Sequence, residues 1–217
     1  MNPGNGLIKH FWVNNRDVVV KHSVRNCHVR GVDSIMLLNA PGMRIRLFVA
    51  RPEHELGHNM PYQQTHKPLS VGYHPHHCDI TLQVVRGWIM NRLFKPLLFN
   101  QAVPKVTVLS SFVYHSKLLG QKPGFGFQGT VFGVTHSDYD TIVNVGESLE
   151  LDARDCHTIG AKVGSTPAWL VYEGEEAANY QPICYSDDDL TKFNFDDMYT
   201  PMSEWDIHEI LRPLIDG

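Results

Sequence analysis

Between Ser34 and Ala50 the apolar positions fall into two short runs, Ser34-Ile35-Met36-Leu37-Leu38 and Met43-Arg44-Ile45-Arg46-Leu47-Phe48-Val49. In the second, Met43, Ile45, Leu47 and Val49 alternate with Arg44 and Arg46, the period of two that marks a half-buried strand. Asn39-Ala40-Pro41-Gly42 supplies the turn between them, so a hairpin is expected. Further strand-like runs follow at Leu69–His76, Ile80–Val85, Trp88–Phe94, Val106–Tyr114, Val131–Thr135, Thr141–Val145 and Ala168–Tyr172. Residues 51–68, rich in Pro, His, Gln and Asn, read as a loop. Many short strands and almost no helical spacing before the last residues predict an all-β sandwich or barrel.

The two ends read differently. Met1-Asn2-Pro3-Gly4-Asn5-Gly6 is polar and turn-like. After the acidic stretch of Asp187–Asp189 and Asp196–Asp197, Thr200-Pro201 resembles a helix N-cap with proline in the first turn. Trp205, Ile207, Ile210, Leu211 and Leu214 then recur at helical spacing, which predicts one C-terminal helix. The glycine-rich residues 120–129 lack the Gly-Lys-Ser/Thr ending of a phosphate-binding loop and are expected to form a flexible hairpin tip. The expected division is residues 1–33 as an arm or leading strands, 34–180 as the barrel, and 181–217 as an acidic segment with a helix packed on the barrel.

Composition narrows the function classes. A chain of 217 residues with 42% hydrophobic and 19% charged positions can bury a sizeable core. A net charge of -4 and a pI near 6.3 give no basic footprint for nucleic acid. No apolar run approaches the ~20 residues that span a bilayer, and no secretory signal precedes the fold, so a cytoplasmic protein with no membrane partner is expected. Cys27, Cys78, Cys156 and Cys184 form no CxxC pair and are expected as buried free thiols. The outlier is histidine, 13 residues.

The histidines concentrate in Tyr73-His74-Pro75-His76-His77-Cys78-Asp79. Neutral imidazole is the commonest metal-binding side chain, and His74 and His76 share parity with Ile80, Leu82 and Val84, hence one face of an extended strand. A bulge at Pro75 would instead turn His77 and Asp79 inward, and both arrangements stay open. His54, His58, His66 and His136 have nothing but residue type to promote them. Trp169 and Tyr172 read as packing, and Asp155 as a turn residue.

A second histidine stands downstream in Arg154-Asp155-Cys156-His157-Thr158-Ile159. Together the two stretches resemble the cupin family, whose first motif has the form G-x5-H-x-H-x(3,4)-E-x6-G and whose second has the form G-x5-P-x-G-x2-H-x3-N. His74, His76 and Gly87 match the first, and Gly146 and His157 the second. The family's glutamate position holds Ile80, or Thr81 at the longer spacing, and its first glycine is Pro68. Its second-motif proline, glycine and asparagine are Asp152, Arg154 and Ala161.

The resemblance implies a jelly-roll β-barrel, with an extra hairpin inserted in the long stretch between Gly87 and Gly146. It also implies a divalent transition metal, iron(II) before zinc, manganese or nickel, on His74, His76 and His157. Some cupin dioxygenases use three histidines without the carboxylate. The expected function is therefore an iron(II) dioxygenase-like enzyme acting on a small organic molecule. A metal-dependent isomerase, epimerase or lyase, with Asp79 or Glu147 as base, is the second expectation. A non-catalytic ligand-binding cupin is the third. Dimer formation, common among cupins, makes a homodimer the expected assembly.

Overall fold

The computed structural model describes residues 3–28, 30–52, 71–97, 106–115, 124–135, 140–161, 164–176, 181–192, 196 and 198–216. Two helices, α1 (Pro3–Asn14) and α2 (Arg16–His22), lead into β1 (Val24–Arg25), β2 (Val32–Ala40) and β3 (Met43–Ala50). There follow β4 (Ile80–Arg86), β5 (Trp88–Pro96), β6 (Thr107–His115), β7 (Gly124–Thr135), β8 (Thr141–Asn144), β9 (Ser148–Leu151) and β10 (Cys156–Gly160). The chain continues through β11 (Ala168–Glu173), β12 (Ile183–Ser186) and β13 (Thr200–Pro201) to α3 (Glu204–Ile215).

The strands form two antiparallel sheets, ordered β13-β1-β2-β3-β11-β4-β9 and β10-β5-β7-β6-β12, with β8 joined to β5. This is the expected all-β fold of two packed antiparallel sheets with a C-terminal helix, and β6 and β7 are the inserted hairpin between Gly87 and Gly146. Gly87 and Gly146 both take a positive φ, 70° and 87°, where the chain turns at the ends of β4 and β8. Only glycine occupies that region without strain, which gives both motif glycines a structural reason.

Three helices cover the outer face of the seven-stranded sheet. Ile45, Leu47 and Val49 of β3 and Leu170 of β11 pack there against Ile8 and Trp12 of α1 and Ile207, Leu211 and Leu214 of α3. The opposite face meets the second sheet through Ile80, Leu82, Val84, Ile89, Trp169 and Val171. The sheet is therefore enclosed on both sides, and the half-buried reading of β3 needs correction. Its apolar parity lies under the helices, and its arginine parity faces the barrel interior.

Four other expectations are corrected. Residues 3–22 are helical rather than an arm or leading strands, because Leu7, Ile8, Phe11 and Trp12 make an apolar stripe that the glycines and proline before it disguise. Gly124–Gly129 belongs to β7 and is no hairpin tip. Thr200-Pro201 pairs with β1, and the helix is capped by Ser203, whose hydroxyl accepts from Asp206 N while the Asp206 carboxylate accepts from Ser203 N. Trp205 is 70% exposed, not packed.

All four cysteines are buried and free, and Trp169 packs as expected, its ring stacked on Phe48 with centroids 5.8 Å apart. Among the described residues no helix is long and apolar enough to cross a membrane. His54, His58, His66 and His136 lie outside the described residues.

Candidate metal centre

His157 sits on β10, where alternation places it and Ile159 on the inward face while Cys156 points outward into a cluster with Tyr73 and Phe94. Opposite it, residues 73–79 are irregular, with a single two-residue bridge to each neighbour. His74 N donates to His157 O at 3.0 Å, and His157 N returns the bond to His74 O at 3.2 Å. This backbone pair fixes the two histidines face to face. His76 N donates to Ala153 O at 3.1 Å, which holds the second histidine of the cluster over the same spot. The strand-parity argument thus reached the right face by an imperfect route, since His74 and His76 are held by these bridges rather than by a continuous strand.

The candidate ligand nitrogens of His74, His76 and His157 all lie within 4.8 Å of one another. His76 Nε2 and His157 Nε2 are 2.8 Å apart. The remaining nitrogens of two rings are anchored: His157 Nδ1 lies 2.6 Å from Oδ1 of Asn91, and His74 Nδ1 lies 3.1 Å from the carbonyl of Gly72. Both partners accept, so both Nδ1 atoms carry the proton and both Nε2 atoms present lone pairs. With His157 Nε2 an acceptor, the short contact requires His76 Nε2 to carry its ring's proton. A metal ion there would displace that proton. Two nitrogens ligating one metal at ~2.1 Å lie roughly 3 Å apart, a separation within the span of this cluster.

Burial holds these rings neutral. His76 is lowered to about 3, first by desolvation and then by its neighbours His74 and His77. His157 is lowered well below its ordinary value, by desolvation and then by His76 and His74. His74 is lowered by desolvation, against which its bond to Gly72 acts. Neutral imidazole is the form that binds metal. The donor set therefore fits a divalent transition metal with coordination positions left over.

His77 is exposed, and Asp79, also exposed, spends its carboxylate accepting from Ala153 N at 2.7 Å. Neither belongs to the three-histidine group. Ile80, at the family's glutamate position, lines the same cavity with an apolar side chain. Asp155 is the turn residue expected, its carboxylate accepting from Asp152 N.

The histidines open into a cavity of about 440 Å³ between the sheets. Sequence reasoning missed several of its residues. His28 stacks on His74, centroids 5.1 Å apart, and lies 3.1 Å from the hydroxyl of Tyr199. Asn26, His28 and Tyr199 are the non-glycine residues with positive φ among those described, at 53°, 64° and 52°. His28 and Tyr199 line the cavity and Asn26 lies behind them, where Tyr199 N bonds to Asn26 O and Val71 N to His28 O. Strained backbone of this kind concentrates at functional sites. No periodicity marks His28 or Tyr199, whereas the alternating arginines of β3 were visible and misassigned to solvent.

No protein-family model matches this chain, and no curated protein matches it. Solved structures do. Polyketide cyclase RemF from Streptomyces resistomycificus is similar over 84% of this chain and 87% of its own, at 14% identity and a TM-score of 0.38. Hydroxypropylphosphonic acid epoxidase from S. wedmorenis matches over 71% of this chain at 11% identity and a TM-score of 0.37, and the chain spans 56% of that enzyme. A cupin superfamily protein from Desulfitobacterium hafniense matches over 67% of this chain and 78% of its own, at 10% identity and a TM-score of 0.34. Likenesses of this size say nothing of reaction or substrate.

Proposed function

We propose that His74, His76 and His157 hold a divalent transition metal, iron(II) in the working protein, and that the protein is a dioxygenase-like enzyme for a small organic substrate. The observation that supports this most is the convergence of three neutral imidazoles, two of them with their second nitrogen anchored so that Nε2 is offered. When bound, such an ion supplies Lewis acidity and a place for substrate and dioxygen to meet. The chain's own part is geometric. Asn91 and Gly72 set the ring planes, the His74–His157 backbone pair sets their separation, and Phe48, Leu82 and Trp169 give the cavity an apolar wall.

The test begins with protein purified without chelator. Stoichiometric iron together with substrate-dependent oxygen uptake supports the reading. Zinc, manganese or nickel without oxygen uptake would move the assignment to isomerase or lyase chemistry, and absence of any bound metal would remove both. His157→Ala is expected to abolish metal binding while the melting transition is retained. Full metal occupancy in that variant would show the ligand set to be wrong.

A further inference from the structure

The cavity carries one charged strip, and it lies on the sheet opposite His157. Strand register places Arg44 of β3 beside Glu173 of β11, which in turn faces Ile80 of β4. One step deeper, Arg46 faces Val171 and Leu82, and deeper still Phe48 faces Trp169. All of these side chains line the cavity. The wall is thus graded, charged towards Arg44 and apolar and aromatic towards Trp169.

Glu173 holds the two arginines together. Its Oε2 accepts from Arg44 Nε at 2.7 Å and its Oε1 from Arg46 Nε at 3.0 Å. Arg44 Nη1 also meets the more exposed Glu176 at 3.1 Å. Arg46 Nη1 reaches only Ser34 Oγ, at 3.4 Å, and Arg46 Nη2 has no protein hydrogen bond among the described residues. The Arg46 side chain remains 24% exposed, towards the cavity it lines. A guanidinium fixed through Nε, with its outer edge open, is a preorganised fork for a carboxylate. The other titratable groups lining the cavity are His22, the histidines of the site and its wall, thiols and phenols. Burial raises the Cys27, Cys78 and Cys184 thiols and the Tyr114 and Tyr199 phenols above their ordinary values, so none of them supplies a competing anion.

We infer that Arg46, positioned by Glu173, anchors the carboxylate of an acid whose apolar body lies along Phe48, Trp169 and Leu82 and whose far end reaches the histidines. The substrate class is then a small carboxylic acid with an aryl or alkyl body. This rests on the reading of the cavity as a substrate site beside a metal, and its test separates the two.

The probes are 3-phenylpropionate and its neutral analogue 3-phenylpropionamide, titrated calorimetrically into the full chain, both metal-free and loaded with cobalt(II). The acid is expected to bind at least roughly tenfold more tightly than the amide, the ratio of a charge-assisted to a neutral pairing. Arg46→Gln should erase that preference and leave cobalt binding unchanged. Glu173→Gln removes a competing anion and should tighten acid binding several-fold, a gain that misfolding cannot imitate. Equal affinity for acid and amide, no binding of either, or an undiminished preference in Arg46→Gln overturns the inference. Failure to bind cobalt with the acid preference intact would instead count against the metal centre alone.

Discussion

The hydrogen bond from His157 Nδ1 to Asn91 is the contact on which the chemistry of the cluster turns. Asn91 is buried on β5 and accepts at 2.6 Å, which commits the His157 proton to the side away from its neighbours. Replacing Asn91 by Leu keeps the volume and frees the tautomer, so metal affinity is expected to fall ~10- to 100-fold with the fold intact, measurable by competition with a chromogenic chelator. Burial of the same rings makes metal-free stability depend on pH. Unfolded, each imidazole protonates near 6.5, whereas folded His76 does so at about 3. The unfolded chain therefore takes up more protons below 6.5. The stability is fully present above that value and is lost as pH falls towards 3, at up to about 1.4 kcal/mol per unit for each such histidine. Melting curves of the metal-free protein between pH 7 and 5 should show this slope, and His76→Gln should make it shallower. At this scale the coming together of His74, His76 and His157 was legible from their positions in the two motifs. Arg44 and Arg46 were visible but turned the wrong way, since parity says which residues share a face and not which face is inside. His28 and Tyr199 were illegible, brought together by contacts between distant segments.

Among the elements, the strands were readable from alternation and the helices at residues 3–22 were not. Gly4 and Gly6 weaken helix propensity, and the stripe of Leu7, Ile8, Phe11 and Trp12 becomes helical by packing under the sheet. The C-terminal helix was legible from its apolar spacing. Its start was mistaken because Thr200-Pro201 imitates a cap that Ser203 actually provides. Ser203→Ala should cost about 1 kcal/mol, seen as a lower denaturant midpoint with unchanged slope. A harsher effect is expected in the inserted hairpin. A Cβ on Gly133 would stand 2.2 Å from Phe94 Cζ and 2.9 Å from the carbonyl of Lys95. Gly133→Ala should therefore destabilise by roughly 1–3 kcal/mol through overpacking between β5 and β7, again read from the midpoint.

Across the whole molecule, enclosure of the seven-stranded sheet on both faces ties the ends of the described chain to its centre. One core joins α1, α3 and the strands β2, β3 and β11. Leu211→Ala, deep in that core, is expected to cost about 2–5 kcal/mol and to lower a single cooperative transition rather than split it. The overall architecture was readable because strand count, turn signals and motif order converge on it. Of the outer helical layer only α3 was anticipated; α1 and α2 were not, because their place depends on which sheet face stays uncovered when the barrel closes.

The pairing of β1 with β13, Val24 against Pro201 and Arg25 against Thr200, carries a further consequence. His74, His76 and His157 all precede residue 198, yet the wall on which His28 stands is completed by Tyr199 and secured by β13 and α3. The three imidazoles are thus synthesised before the segment that completes the wall behind His28, so the last residues of the chain finish an enclosure whose contents are already in place.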